Sequence, residues 1–118
     1  MDQNELKQRT KEFALRVIKL SDALPKSTAG RVIDYQLVKS ATSVGANYRA
    51  VCRGRSKAEF HSKLEIVLEE ADESAFWLEM IIESGLMPAG KINSLLEEAN
   101  ELTAIFAVSC RTARENKS

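Results

Sequence analysis

Few side chains in this 118-residue sequence have nucleophilic or metal-binding chemistry. There is one histidine, His61, and there are two cysteines, Cys52 and Cys110. A structural zinc site takes four such ligands, and a di-iron bundle needs Glu-x-x-His pairs, whereas the residue three before His61 is Ala58. The sequence therefore predicts no metal site and no cofactor. A structural or surface position is favoured for His61, and the cysteines are expected to be small core residues, although a spatial pairing of Cys52 with His61 stays open.

Carboxylates concentrate in the run 69–73, which contains Glu70, Asp72 and Glu73. Successive residues of a helix face different directions, so such a run is more typical of a solvated or ion-paired face than of a catalytic carboxylate pair. Glycine loops for phosphate, nucleophile elbows and zincin motifs are absent from the sequence. No catalytic residue is predicted. An enzyme that uses Cys52, His61 or these carboxylates is the least favoured function class.

Cations concentrate around one predicted turn between helices. The residues are Arg49, Arg53, Arg55, Lys57 and Lys63. Exposed amide groups at a helix terminus and a cluster of cations both attract phosphate, so these residues are the candidate site for RNA or DNA. Only Tyr48 and Phe60 could stack bases nearby, and both fall at core positions. Any binding should therefore be to the backbone or to shape.

The formal net charge of zero conceals a separation of charge along the chain. Residues 26–63 contain eight Lys or Arg and two Asp or Glu, whereas residues 64–101 contain ten Asp or Glu and one Lys. Such blocks create a local basic surface on a neutral protein, which is one way to hold phosphate. The alternative is intramolecular, with a basic helix lying beside an acidic one.

Apolar residues recur at three- and four-residue steps in four segments, and no period-two strand pattern competes with them. The spacing predicts an all-α, antiparallel, up-down-up-down left-handed four-helix bundle that forms one domain over residues 1–118. The helices are predicted over roughly 4–24, 28–53, 56–84 and 88–114. Ser56 and Glu59 form a capping box at the start of the third helix. The expected core includes Leu6, Phe13, Val17, Leu20, Leu24, Leu37, Ala41, Val44, Tyr48, Val51, Phe60, Leu64, Val67, Ala71, Ala75, Leu78, Ile82, Ile92, Leu95, Ala99, Leu102, Phe106 and Ala113.

Composition places the chain among globular proteins. With 44% apolar and 29% charged residues the chain can pack a core, and this composition argues against intrinsic disorder. No stretch approaches the roughly 18 apolar residues that a membrane span needs, and charges near the amino end argue against a secretory leader. We therefore expect a cytoplasmic protein with no membrane partner.

The second and third helices have apolar or small residues away from the core direction. At 100° per residue, part of the third helix forms a second stripe, and the second helix has small residues where a solvated helix would place Lys or Glu. A large exposed apolar stripe usually indicates a partner, so self-association is predicted, with a broad-faced core helix as the alternative. The candidate interface residues are Tyr35, Ala46, Ile66, Glu73, Trp77 and Met80.

Several sequence segments, in this order and spacing, resemble those of the bacterial four-helix-bundle family that is also known as the 23S rRNA intervening-sequence protein family. The resemblance covers roughly residues 10–112. The segments that carry it are Ser-Ala-Thr-Ser-Val-Gly-Ala-Asn at 40–47, Arg-Ser-Lys-Ala-Glu-Phe at 55–60, Lys-Leu-Glu-Ile at 63–66, Glu-Ala-Asp-Glu-Ser at 70–74, Trp-Leu-Glu at 77–79 and Asn-Ser-Leu-Leu-Glu-Glu-Ala-Asn-Glu-Leu at 93–102.

The resemblance implies a left-handed up-and-down bundle that assembles as a ring-like homopentamer. It also implies kinship with the accessory protein of diversity-generating retroelements, a pentamer that binds nucleic acid. Some members are encoded within insertions in ribosomal RNA genes, and most have no established function. Many members follow the helix-two Asn with x-x-Glu-Gly, whereas Asn47 here precedes Tyr48, Arg49, Ala50 and Val51. Any role of that glutamate therefore does not transfer, and its absence leaves Arg49 and Arg53 more available to a partner.

The sequence favours two function classes. The first is a non-enzymatic, self-assembling helical protein that binds RNA or DNA electrostatically through the basic turn. The second is an oligomeric adaptor for other proteins, in which the same cations form salt bridges between subunits.

Overall fold

The computed structural model describes residues 1–54 and 56–116, and over those residues it contains helices and no strand. Four α-helices pack against each other: α1 Gln3–Ser21, α2 Thr28–Val51, α3 Lys57–Glu83 and α4 Asn93–Glu115. The predicted all-α class with four packed helices is confirmed. The left-handed crossing and the assembly into a homo-oligomer stay predictions. Within the described residues, none of the helices is long and apolar enough to cross a membrane.

Three helices begin at a side chain that accepts a hydrogen bond from the first turn. An oxygen in this position satisfies a backbone N–H that has no partner inside the helix. The bonds run from Glu5 N to Asp2 Oδ1 (2.8 Å), from Gly30 N to Ser27 Oγ (3.1 Å) and from Glu59 N to Ser56 Oγ (3.1 Å). Ser56 therefore caps the third helix as the sequence predicts.

One apolar core runs along the whole bundle. Phe13, Leu37, Leu78 and Phe106 have no exposed surface, and the aromatic ring of Tyr48 lies 5.4 Å from that of Phe106. Nearly all of the predicted core positions are buried. The exceptions are half-buried and pack against the core: Leu20, Phe60, Ile82 and Ala113.

Polar contacts show how neighbouring helices meet. Ser21 Oγ donates to Asp34 Oδ1 (2.5 Å), and Ser74 Oγ donates to Ser40 Oγ (3.0 Å) between α2 and α3. Between α1 and α4, Arg9 contacts Glu98, while Arg16, two turns later on α1, contacts Ser94. Residue numbers therefore fall along α4 as they rise along α1.

Two helix boundaries differ from the predicted ones. α1 ends at Ser21 rather than near 24, because proline disfavours helical conformation in the residue before it and Pro25 follows Leu24. α4 begins at Asn93 rather than at 88, because the short 3-10 helix Ala89–Lys91 comes first and delivers Ile92 to the core.

Gly85 ends α3 with a positive φ of 76°, the left-handed conformation that glycine adopts without penalty. The N–H of Leu86 donates to the carbonyl of Ile81 (3.1 Å) and that of Gly85 to Ile82 (3.1 Å), the two bonds of a Schellman motif. This turn sends the chain from α3 back towards α4.

We expect Gly85→Ala to lower the free energy of unfolding by about 1 kcal/mol, because a Cβ in the left-handed region meets the following carbonyl. Gly90→Ala is the matched control, since Gly90 has no positive φ and an added Cβ there meets nothing within 4 Å. Urea unfolding of both variants measures the difference. Equal loss of stability in the two variants would contradict the role given to the Gly85 conformation.

Candidate nucleic-acid interface

The predicted cations come from the end of α2, the following turn and the start of α3. Arg49 lies in the last turn of α2, Arg53 in the turn, Lys57 at the first position of α3 and Lys63 in its second turn. Arg55 lies outside the described residues. All of the described ones are at least partly exposed, so each can reach a ligand.

Arg49 and Arg53 line a groove of about 540 Å³ between α1 and α2, together with Lys7 and Lys11. We call this the basic groove. The other described residues that line it are uncharged: Asn4, Gln8, Ala14, Thr42, Gly45, Ala46 and Cys52. The groove therefore has four cations, two from α1, one from α2 and one from the turn after α2, and no carboxylate among its described lining residues.

A second hollow of about 530 Å³ lies on the other side of the same arginines, between α2 and α3. Arg49, Arg53 and Ala46 line both hollows, and Lys63 lines only the second. Glu59 is its one carboxylate among the described residues. The structure thus brings Arg49, Arg53 and Lys63 together but places Lys57 elsewhere, in a cavity between α3 and α4.

The charges of the basic groove are not consumed by ion pairs among the described residues. The four acid–base contacts found there use Arg9, Arg114 and His61. The intramolecular alternative, a basic helix beside an acidic one, agrees with the packing of α2 against α3, but neither Arg49 nor Arg53 forms an ion pair there among the described residues. Both arginines are available to a phosphate or to a carboxylate of another molecule.

Lys7 and Lys11 are functional candidates that the sequence reasoning missed, because they lie about 40 residues from the arginines. They flank Thr10, which packs against α2 where Gly45 has no side chain, so that a Cβ there would lie 3.5 Å from the Thr10 carbonyl oxygen. The close approach of the helices brings the two pairs of cations onto one groove. The sequence contains a signal that could have found them. Gly45 and Ala46 allow another helix to approach α2 closely, and Lys7 and Lys11 are spaced one turn apart on α1.

No aromatic ring lines the basic groove or the second hollow among the described residues. Tyr48 is buried against Phe106, and Phe60 packs against the core, as the sequence predicts. Burial raises the pKa of Tyr48 well above its ordinary value, so its phenol stays neutral. The groove therefore offers charge and hydrogen bonds rather than a surface on which bases stack.

Among the described residues, the side chains with nucleophilic or metal-binding chemistry do not come together as a site. His61 Nε2 lies 3.1 Å from Glu65 Oε1, one turn along α3. No group of three or more His, Cys, Asp or Glu side chains among the described residues could hold a metal ion. Cys110 is buried as expected, while Cys52 is half-buried and lines the basic groove.

The predicted second apolar face is exposed in part. Tyr35 (65%) and Ile66 (42%) are exposed, as are Ala46 and Glu73. Their neighbours on α3 behave differently. Trp77 and Met80 are half-buried, Trp77 packs against the core, and its Nε1 is buried without a hydrogen-bond partner among the residues that the structure describes.

Phe76 is an exposed member of this face that the sequence reasoning missed. Its ring meets that of Trp77 edge-on, with the ring centres 4.9 Å apart, and 47% of its surface is exposed. Val32 on α2 is also exposed. The exposed apolar surface of α2 and α3 therefore consists mainly of Val32, Tyr35, Ile66 and Phe76, which we call the apolar face.

The sequence profile of the 23S rRNA-intervening sequence protein family matches residues 2–107. The chain belongs to this family. The match spans α1, α2, α3 and most of α4, so it includes the basic groove and the apolar face. The resemblance found in the sequence segments is thereby confirmed.

A crystal structure from Bacteroides thetaiotaomicron supports the same assignment. It is described as a protein with unknown function from the S23 ribosomal protein family. It is 31% identical to this member of the 23S rRNA-intervening sequence protein family and superposes with a TM-score of 0.85. The alignment covers 94% of this chain and 99% of that one. No curated protein matches the chain.

We expect the two thiols to differ in their reaction with iodoacetamide. Cys110 is 1% exposed and burial raises the pKa of its thiol, whereas Cys52 lines an open groove. Mass spectrometry of the folded protein should show one adduct, at Cys52, and two adducts after unfolding in urea. Cys52→Ser should remove the first adduct, and faster modification of Cys110 would contradict this placement.

Proposed function

We propose that this protein is a non-enzymatic, self-assembling helical-bundle protein that binds RNA or DNA through the basic groove. The observation that carries the proposal is the set of four cations, Lys7 and Lys11 on α1, Arg49 on α2 and Arg53 in the following turn, around one groove. Lys63 extends the positive surface into the second hollow. Arg55 and Lys57 are the outlying members of the predicted cluster.

The physical basis of binding is neutralisation of phosphate charge. Each phosphate that a Lys or Arg neutralises releases condensed counterions, so log K falls with log salt at a slope of about −0.9 per phosphate on duplex DNA. Four cations predict a slope of roughly −4 for one copy of the chain. Because the described lining of the groove includes no aromatic ring, the binding is to the sugar–phosphate backbone and does not depend on sequence.

The family name and the relative from B. thetaiotaomicron favour RNA over DNA as the ligand. The name of the family refers to the 23S rRNA intervening sequence, and the relative is described as a member of the S23 ribosomal protein family. Both descriptions concern those proteins, and they support a structured RNA as the first probe for this chain. The cytoplasm is the compartment in which we place this activity, with no membrane partner.

Self-association is the second part of the proposal. The apolar face on α2 and α3 is the surface that a second copy would cover, in an antiparallel left-handed bundle that forms a homo-oligomer. The family resemblance suggests five copies. Several grooves held together bind one nucleic acid more tightly than a single groove does, because each further contact is intramolecular.

A second candidate function is supported by the acidic surface of α3. Glu69, Asp72 and Glu73 are exposed, and the −9 of residues 64–101 opposes the +6 of residues 26–63. In this alternative the protein is an oligomeric adaptor for other proteins, and Arg49 and Arg53 pair with carboxylates of the neighbouring subunit. Neutralising the arginines would then weaken assembly instead of nucleic-acid binding.

We expect Arg49→Gln and Arg53→Gln together to reduce the slope of log K against log salt by about 2, since each removes roughly one phosphate contact. Lys7→Gln with Lys11→Gln should have an equal effect, because the structure places those residues on the same groove. A salt titration of binding to a structured RNA, with duplex DNA in parallel, measures both pairs.

Lys91→Gln is the matched control, because Lys91 is an exposed cation in the short helix before α4 and lines none of these hollows. Its slope should equal that of the wild-type protein. An absence of binding at low salt, or equal slopes for all variants, would contradict the proposed function. Loss of assembly in the arginine variants without any wild-type binding of nucleic acid would favour the adaptor.

We expect Ile66→Asp or Phe76→Asp to lower the oligomeric mass, because each places a charge on an apolar surface that the partner buries. Leu15→Asp is the control, since Leu15 is similarly exposed but lies on α1, away from the apolar face. Light scattering after size exclusion gives the mass, and circular dichroism confirms the fold. A monomeric wild-type protein, or dissociation by Leu15→Asp alone, would contradict this interface.

A further inference from the structure

The bundle is incomplete at the end where α3 begins and α4 finishes. Arg9, six residues after the start of α1, contacts Glu98 and Glu101, so α1 has about 9 Å of helix left beyond this contact. α4 continues from Glu101 to Glu115, about 21 Å in the same direction. The last turns of α4 therefore have no α1 beside them.

This missing corner is a cavity of about 880 Å³. Its apolar lining comes from three helices: Tyr48 on α2, Phe60 and Leu64 on α3, and Val108 and Ala113 on α4. Val108 is 54% exposed, although it is an aliphatic side chain on a bundle helix. Ligand pockets in proteins have this size and an apolar wall of this kind.

The polar part of the lining is neutral or positive. Among the described lining residues, Lys57 is the one Lys, Arg, Asp or Glu, and the exposed residues Thr112 and Asn116 add a hydroxyl and an amide group to the lining. Glu65, which His61 contacts, is not among the described residues that line the cavity. The charge of the cavity therefore favours an anion and disfavours a cation.

We propose that this cavity binds a small amphipathic anion, with an aliphatic body against Phe60, Leu64 and Val108 and an anionic head group at Lys57. The aliphatic body covers apolar surface that the bundle leaves open, which is the main source of affinity. Lys57 sets the orientation of the ligand and selects a head group of negative charge. None of the described lining residues is shared with the basic groove or the second hollow, so this site does not depend on the proposed function.

The first experiment compares three probes that have the same ten-carbon chain. Decanoate, decanol and decyltrimethylammonium are titrated into the full chain by calorimetry, below the concentrations at which they aggregate. Decanoate should bind most tightly, decanol less tightly and the cation least. Absence of decanoate binding, or equal binding of decanoate and the cation, would overturn the proposal.

Variants locate the bound probe. Lys57→Gln should weaken decanoate about two- to fivefold, the effect of one exposed charge, and leave decanol unchanged. Lys91→Gln should change neither, because Lys91 does not line the cavity. Equal weakening of decanoate and decanol by Lys57→Gln would show that Lys57 does not hold the head group, and would also count against the proposal.

A cavity-filling variant tests the apolar body. Ala113→Phe places a ring in the cavity and should remove measurable binding of both decanoate and decanol while the helical circular dichroism spectrum is retained. Unchanged affinity in a folded Ala113→Phe variant would exclude this cavity. If that variant does not fold, the head-group comparison and Lys57→Gln decide the question, since Lys57 is exposed at the start of α3.

Discussion

The Arg9 guanidinium joins α1 to α4 through two hydrogen bonds to Glu98, Nη2 to Oε1 at 2.7 Å and Nε to Oε2 at 2.8 Å. A third bond reaches Glu101 at 3.2 Å. These carboxylates raise the pKa of Arg9 above its already high ordinary value, so the guanidinium remains charged. A planar guanidinium group that forms two hydrogen bonds to one carboxylate restricts the relative orientation of the two side chains as well as their distance. It therefore marks where α1 lies along α4, while α1 makes its more extensive contact with α2.

Both candidate sites depend on that position. Lys7 and Lys11 lie two residues on either side of Arg9, so α1 contacts α4 through Arg9 and presents these lysines to the groove where it packs on Gly45 of α2. The same contact leaves the last turns of α4 beyond the start of α1, which produces the cavity beside Val108. A shift of α1 by one turn towards the carboxyl end of α4 would cover part of that cavity and would move both lysines one turn along the groove.

The periodicity of apolar residues predicted the helices and most of the core because burial depends on position within a single helix. The spacing alone identified Phe13, Leu37 and Phe106 as core residues. The basic groove could be predicted only in part. Arg49 and Arg53 are neighbours in sequence, whereas Lys7 and Lys11 join them through packing between helices, which a local pattern does not contain.

The second apolar face shows the same limit. Angles on an ideal helix placed Trp77 outside, but a large side chain at the edge of a helix interface can turn towards the core, and Trp77 does so. The adjacent Phe76 takes the exposed position instead. Ile66, whose side chain is shorter, stays exposed as its angle predicts. Helix geometry thus determines on which face of the helix a residue lies. It does not determine the direction of a long side chain at the edge of that face.

Ala46 belongs both to the candidate nucleic-acid site and to the predicted interface between copies. It lines both the basic groove and the second hollow, and it is also a predicted interface residue. A helix of a second copy that packs closely on Ala46 would lie beside Arg49 and Arg53, which line the same two hollows. An acidic helix there would neutralise the arginines, whereas a copy that packs farther along, on Tyr35 and Phe76, would leave them open. The position of the partner relative to Ala46 therefore decides between the two functions, and a single copy cannot use Ala46 for both.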